Sequence, residues 1–226
     1  MKRFILFVFT FLGWFALHAQ YYYDRSKNPD KTKAVQQSPS RDFDHFFFFS
    51  WDTNKPLSNT DFVGSTSSLG TRLGFRKRIN NVDQIWAGAD LGWSVYKEYF
   101  PYQTYTSGTK SVSTDFYDYA VNLNLTASID YFFLPMDKIV NPYVGLNLGV
   151  AYDKFSYYYN IYGASNGTFG LLLRPEAGLL VGFGKNSPWR LKGAIHYDYS
   201  TNSDKDTGYK NFSNIGLQIG IVKMAW

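Results

Sequence analysis

The sequence predicts an all-β chain, specifically an eight-stranded antiparallel up-and-down transmembrane β-barrel, on three observations. First, residues 118–133 alternate strictly: Tyr119, Val121, Leu123, Leu125, Ala127, Ile129, Tyr131 and Phe133 fall on one face, and Asp118, Ala120, Asn122, Asn124, Thr126, Ser128 and Asp130 on the other. A helix would scatter both sets around its circumference, whereas a strand separates them cleanly. The run is also longer than a soluble strand requires, and its apolar face ends in aromatics at both margins. Second, seven further segments repeat the pattern or its aromatic density. Third, the connections between them alternate between short and long.

Ahead of the strands, residues 1–19 combine Lys2 and Arg3 with an apolar run interrupted only by Thr10 and Gly13, and end at Ala19. This reads as a secretory signal peptide, since the run falls short of the roughly 20 apolar residues that span a bilayer as a helix. Residues 20–41 hold Pro29, Pro39 and interspersed Lys27, Lys31, Lys33, Asp24 and Asp30 without either periodicity. They are expected to form a flexible periplasmic N-terminal arm, which could bind a periplasmic partner or plug the lumen. The barrel is expected over 42–226.

Residues 43–51 read as a strand from aromatic density alone, too uniformly apolar for faces to be assigned. In 68–78, Leu69, Thr71, Leu73 and Phe75 oppose Gly70, Arg72, Gly74 and Arg76; in 85–96, Ala87, Ala89, Leu91, Trp93 and Val95 oppose Gly88, Asp90, Gly92 and Ser94. After 118–133, residues 143–157 set Val144, Leu146, Leu148, Val150 and Tyr152 against Gly145, Asn147, Gly149, Ala151 and Asp153. Segment 169–183 sets Leu173, Pro175, Ala177, Leu179 and Val181 against Arg174, Glu176, Gly178 and Gly182. Segment 190–199 sets Leu191, Ile195, Tyr197 and Tyr199 against Arg190, Lys192, His196 and Asp198. Pro175 lacks a ladder donor, so a bulge or an interruption is expected there. In 214–226, Ile215, Leu217, Ile219 and Ile221 oppose Gly216, Gln218 and Gly220, but counting back from Trp226 the apolar Met224 and Val222 lie on the wrong parity; a bulge near Lys223 would reconcile them. The short connections are 80–84, 134–142 and 184–188, and the longer ones 52–67, 100–113, 160–168 and 200–213. Short periplasmic turns and longer outer loops place both chain ends in the periplasm.

Alternation alone does not say which face is wet, and a soluble lipocalin-like barrel would turn the apolar face inward. The membrane reading is favoured by glycines on the polar face, which suit a narrow lumen, by aliphatic mid-strand positions flanked by aromatics, and by the leader. Tyr (19) and Phe (20) are abundant enough to form interfacial belts. The signal peptide, the alternating strands, the short and long connections and the terminal aromatic Trp226 together resemble the small outer-membrane barrels of the OmpA and OmpX type. The resemblance implies a cell outer membrane location in a Gram-negative envelope. It also implies contact with outer-membrane lipids and lipopolysaccharide, and a role for Trp226 as assembly signal for the barrel-assembly machinery.

With the apolar face on lipid, the lumen receives Arg72, Arg76, Asp90, Asp118, Asp130, Asp153, Arg174, Glu176, Arg190, Lys192, His196 and Asp198. Buried charges must pair, so a salt-bridge network filling the barrel is expected. A narrow gated ion path is the alternative. Enzymes that modify lipid A occur on such scaffolds, and His196 with Asp198 and Ser200 offers the residue types of a triad, but on a lumenal face that lipid does not reach. A non-enzymatic structural or surface-binding role is therefore expected. The tyrosines of the outer loops, Tyr102, Tyr105, Tyr158 and Tyr162 among them, suit adaptable binding to an extracellular protein partner. The chain has no cysteine, which excludes disulfides, thiolate ligation and an acylated lipoprotein cysteine. Two isolated histidines beyond the leader, His45 and His196, give no reason to expect a metal, and no other cofactor is expected. The net charge of +5 includes Lys2 and Arg3 of the leader and does not argue for nucleic acid.

Overall fold

The computed structural model describes residues 43–80, 82–107, 110–159, 162–184, 187–203 and 210–225, without the side chains of 105, 107, 110, 112, 159 and 162. The predicted leader, arm and Trp226, and the side chains of Tyr105 and Tyr162, lie outside these residues. Eight strands follow in order: β1 (His45–Pro56), β2 (Ser67–Ile79), β3 (Val82–Ser107), β4 (Lys110–Phe132), β5 (Val140–Tyr159), β6 (Tyr162–Gly182), β7 (Trp189–Ser200) and β8 (Phe212–Ala225). Each pairs antiparallel with its neighbours in sequence, and β1 closes the ring on β8. Closure leaves the barrel wall without a free edge.

The faces are those of a membrane barrel. Leu73, Leu91, Leu125, Leu148, Leu179, Ile195 and Ile219 point outward and are roughly half exposed, while Arg72, Arg76, Asp90, Asp130, Arg174 and Lys192 are buried inside. This overturns the soluble lipocalin-like alternative, whose interior would be apolar. Glycine is required where strands crowd: a Cβ at Gly88 would meet the carbonyl oxygen of Phe75, and one at Gly74 the ring of Phe48 and the Asp90 carboxylate.

Two expectations are corrected. The residues expected as loops at 100–113 and 160–168 are mostly strand: β3 and β4, and β5 and β6, continue as paired hairpins whose connections fall at 108–109 and 160–161. A one-residue register shift between Phe100 and Gln103 accommodates Pro101, which cannot donate to the ladder. No bulge occurs near Lys223, because β8 keeps one register with both β1 and β7 from Asn214 through Lys223. Met224 and Val222 do face inward, where they join an apolar cluster. At Pro175 the pairing with β5 is continuous, whereas pairing with β7 is absent at Arg174 and Pro175 and resumes at Glu176 in unchanged register. Of the two alternatives expected at Pro175, the structure shows the interruption, on one side only and without a bulge.

The β1 faces, left open by the sequence, are now assigned. Phe47, Phe49 and Trp51 point outward; Phe46, Phe48, Ser50, Asp52 and Asn54 point inward. Both faces are aromatic at the end carrying the termini, because the lumen there is packed with Phe46, Phe48, Trp86, Phe132, Tyr143 and Leu180.

Candidate functional site: a sealed, charged lumen

The lumen is stratified into an apolar floor at the end carrying the termini, a charged middle, and an apolar ceiling at the far end. In the middle, Arg76 holds two carboxylates. Its Nη2 donates to Asp90 at 3.0 Å, with Nη1 also on Asp90, and its Nε donates to Asp130 at 2.6 Å. A second group centres on Arg174, which lies 3.5 Å from Asp52, 3.3 Å from Asp198 and 3.7 Å from Glu176. Lys192 is 2.8 Å from Glu176, which also accepts from the Tyr143 hydroxyl, and the ammonium sits 3.9 Å from the centre of the Phe48 ring. Arg72 donates to Asp52 at 3.3 Å and to Asn124 at 3.1 Å. Every guanidinium in this group is desolvated, so the carboxylates are what make its burial tolerable.

Not all of the predicted lumenal charges join. Asp153 accepts from Asn122 and Ser200 rather than from a cation. Arg190 donates to the backbone carbonyls of Met136 and Lys138 and to Asn141, tying down the turn between β4 and β5, and makes no ion pair among the described residues. His196 is buried, with Nε2 2.8 Å from Asn54 Oδ1. Ser200 lies four residues along β7, about 13 Å away at the rise of a strand, and its hydroxyl goes to Asp153. The structure therefore does not assemble His196 and Ser200 into a nucleophile and base.

Sequence reasoning missed Asp52 and Asn54, placed in a loop because the run of phenylalanines hid the alternation of β1. It also missed the ceiling. Residues 57–66, between β1 and β2, fold over the far mouth and bury Phe62 and Val63 against Tyr96, Ala120, Phe155 and Phe212. Asn59, at φ 56°, makes the turn, its carbonyl accepting from Phe62 and Val63 and its side chain donating to Asn211 at 2.7 Å. Glu98 anchors the other side: its carboxylate accepts from the amides of Gly64 at 3.1 Å and Ser65 at 2.7 Å and from the Ser65 hydroxyl at 2.9 Å. Partial burial pushes the Glu98 carboxyl up, but the Ser65 and Gly64 hydrogen bonds outweigh it and hold it below its ordinary value. Opposite Glu98 in the β3–β4 register stands Asp118, pushed up to about 6 by burial and then by the Glu98 charge.

Of the predicted binding tyrosines, Tyr102 and Tyr158 are exposed on the hairpins that rise beyond the mouth. Among the described residues, β3 has no β2 ladder partner beyond Val95 and β6 no β7 ladder partner before Leu172, where Leu171 instead exchanges hydrogen bonds with Thr201.

No protein-family model and no curated protein sequence matches the chain. Among solved structures, Neisserial surface protein A is similar at 18% identity and a TM-score of 0.52, the match covering 80% of this chain and 97% of that one. Ail of Yersinia pestis (12% identity, TM-score 0.44, 80% and 97% covered) and OprG of Pseudomonas aeruginosa (13%, 0.42, 81% and 96%) are more distant. The chain thus has the fold of the small eight-stranded outer-membrane barrels, all-β and closed in a hydrogen-bonded ring.

Proposed function

We propose that this chain is an integral protein of the cell outer membrane, a non-enzymatic barrel with a sealed lumen and a structural or surface-binding role. The observation that carries this is the facing: half-exposed apolar side chains on the outside of all eight strands, aromatic on β1 and largely aliphatic on the others, and paired charges inside, the arrangement that suits hydrocarbon as the outer solvent. The end with the termini faces the periplasm, and the hairpins β3–β4 and β5–β6 stand outside the cell. Their exposed Tyr102 and Tyr158 give an extracellular protein aromatic contacts. Lipopolysaccharide and lipids surround the band, and the barrel-assembly machinery inserts it. The protein should fractionate with the outer membrane and migrate on unboiled gels as a compact, heat-modifiable band; recovery as a soluble monomer in buffer without detergent would refute the reading.

A further inference from the structure

Where the apolar band ends toward the far mouth, the outer wall over β4 and β5 changes character. A groove of about 480 Å³ opens there, lined by Tyr117, Tyr119, Val121, Lys154, Ser156 and Tyr158. Lys154 stands opposite Val121, and on the other flank of β4 Lys97 stands opposite Tyr119. Both lysines are exposed, and among the described residues neither makes an ion pair. The Lys97 ammonium lies 4.5 Å from the centre of the Tyr117 ring and 5.8 Å from that of Tyr119, and Tyr119 packs edge-on against Tyr158. Among the described residues the nearby outward carboxylate is Asp115, which sits beyond Tyr117 and accepts from the Tyr99 hydroxyl at 3.3 Å. Adjacent strands lie about 4.8 Å apart, so the two lysine backbones flank β4 at about 10 Å across it, and both flexible side chains reach its midline. Immediately below, Leu123, Leu125 and Val150 belong to the lipid-facing surface.

We propose that Lys97 and Lys154, over the tyrosine floor, bind the phosphate headgroup of a lipid of the surrounding leaflet, whose chains lie along Leu123, Leu125 and Val150. The proposal rests on the membrane reading above. Two ammonium groups at the depth where an apolar strand face becomes wet are complementary to a lipid phosphate, and lysine binds phosphate as a mobile point charge. The rings hold Lys97 in place and supply hydroxyls at headgroup level. The same end of β1, across the ring, carries Lys55 without such a floor, which makes it a control.

The test is native mass spectrometry of the full-length protein released from micelles of a neutral detergent. The micelles are doped in turn with phosphorylated lipid A, with the same lipid stripped of phosphate, and with the phosphorylated lipid plus excess inorganic phosphate. The expected result is retention of one phosphorylated lipid at least tenfold over the stripped form, loss of that preference in Lys97→Gln/Lys154→Gln, and its survival in Lys55→Gln. Equal retention of the two lipids, or an unchanged preference in the double variant, overturns the proposal. Complete displacement by inorganic phosphate also overturns it, by making the site one for free anions. Heat-modifiable migration of each sample separates the two failures: a folded, detergent-dependent barrel without the preference refutes the lipid site alone, whereas a protein needing no detergent refutes the membrane reading itself.

Discussion

At the residue scale, the lumen shows how a barrel this narrow accommodates charge. Arg76 is completely buried and is satisfied by two aspartates on different strands, β3 and β4, so it ties β2 to β4 across the intervening β3. Removing it strands Asp90 and Asp130 without their cation. Arg76→Ala should cost about 3–5 kcal/mol, measured by urea unfolding in lipid vesicles; a cost under about 1 kcal/mol would mean the pairs do not support the fold. The types of these residues were legible from the alternation, because a polar residue on the inner parity has nowhere else to go. Their partners were not. Nothing in the sequence distinguishes Arg190, which caps carbonyls, from Arg174, which gathers three carboxylates, since that depends on which strand ends bring a turn against the lumen. Lys97 and Lys154 were overlooked for a similar reason: they meet only through the register of β4 with both neighbours.

At the scale of elements, strands with one greasy and one polar face declared themselves, and those with two greasy faces did not. The beginning of β1 packs Phe46 and Phe48 into the floor while Phe47 and Phe49 meet the outside, so its period vanished. Pro101 marks a bulge within β3, inside the segment expected as a loop. The lid at 57–66 is a tertiary device held by Glu98 from another element, which no local pattern encodes. It carries a pH dependence with a definite sign. Because Glu98 is held below its ordinary value, its grip on Gly64 and Ser65 is full above that ordinary value and is lost as pH falls through the lowered one. Asp118, which faces Glu98 and titrates near 6, loses its repulsive charge first on acidification. Amide protection factors of Gly64 and Ser65 should therefore be greatest near about pH 5 and fall below about pH 4. Glu98→Gln should lower them at neutral pH, where the two anionic hydrogen bonds are otherwise intact. A flat profile, or full protection in the Glu98→Gln protein, would exclude the carboxylate as the anchor.

At the scale of the whole molecule, two apolar plugs enclose a charged middle, and both plugs matter for transport. Among the described residues, Phe46, Trp86, Phe132 and Met224 pack across one end and Phe62, Val63, Tyr96 and Phe155 across the other. Protein reconstituted in planar bilayers should show no steady conductance, and a large ion-selective current abolished by Arg174→Ala would restore the channel reading. The strand count, the antiparallel order and the facing were all foreseen because one physical requirement, an apolar outer face and a narrow polar interior, imposes period two on most of the chain. That requirement also permits the most direct measurement. Arginine placed outward at mid-band, in Leu148→Arg, should cost about 2–4 kcal/mol in vesicle unfolding, and at the margin, in Val140→Arg, about 0–1 kcal/mol. A penalty that falls with distance from the mid-band is what lipid as solvent predicts; equal tolerance at both depths would show that this face never meets hydrocarbon.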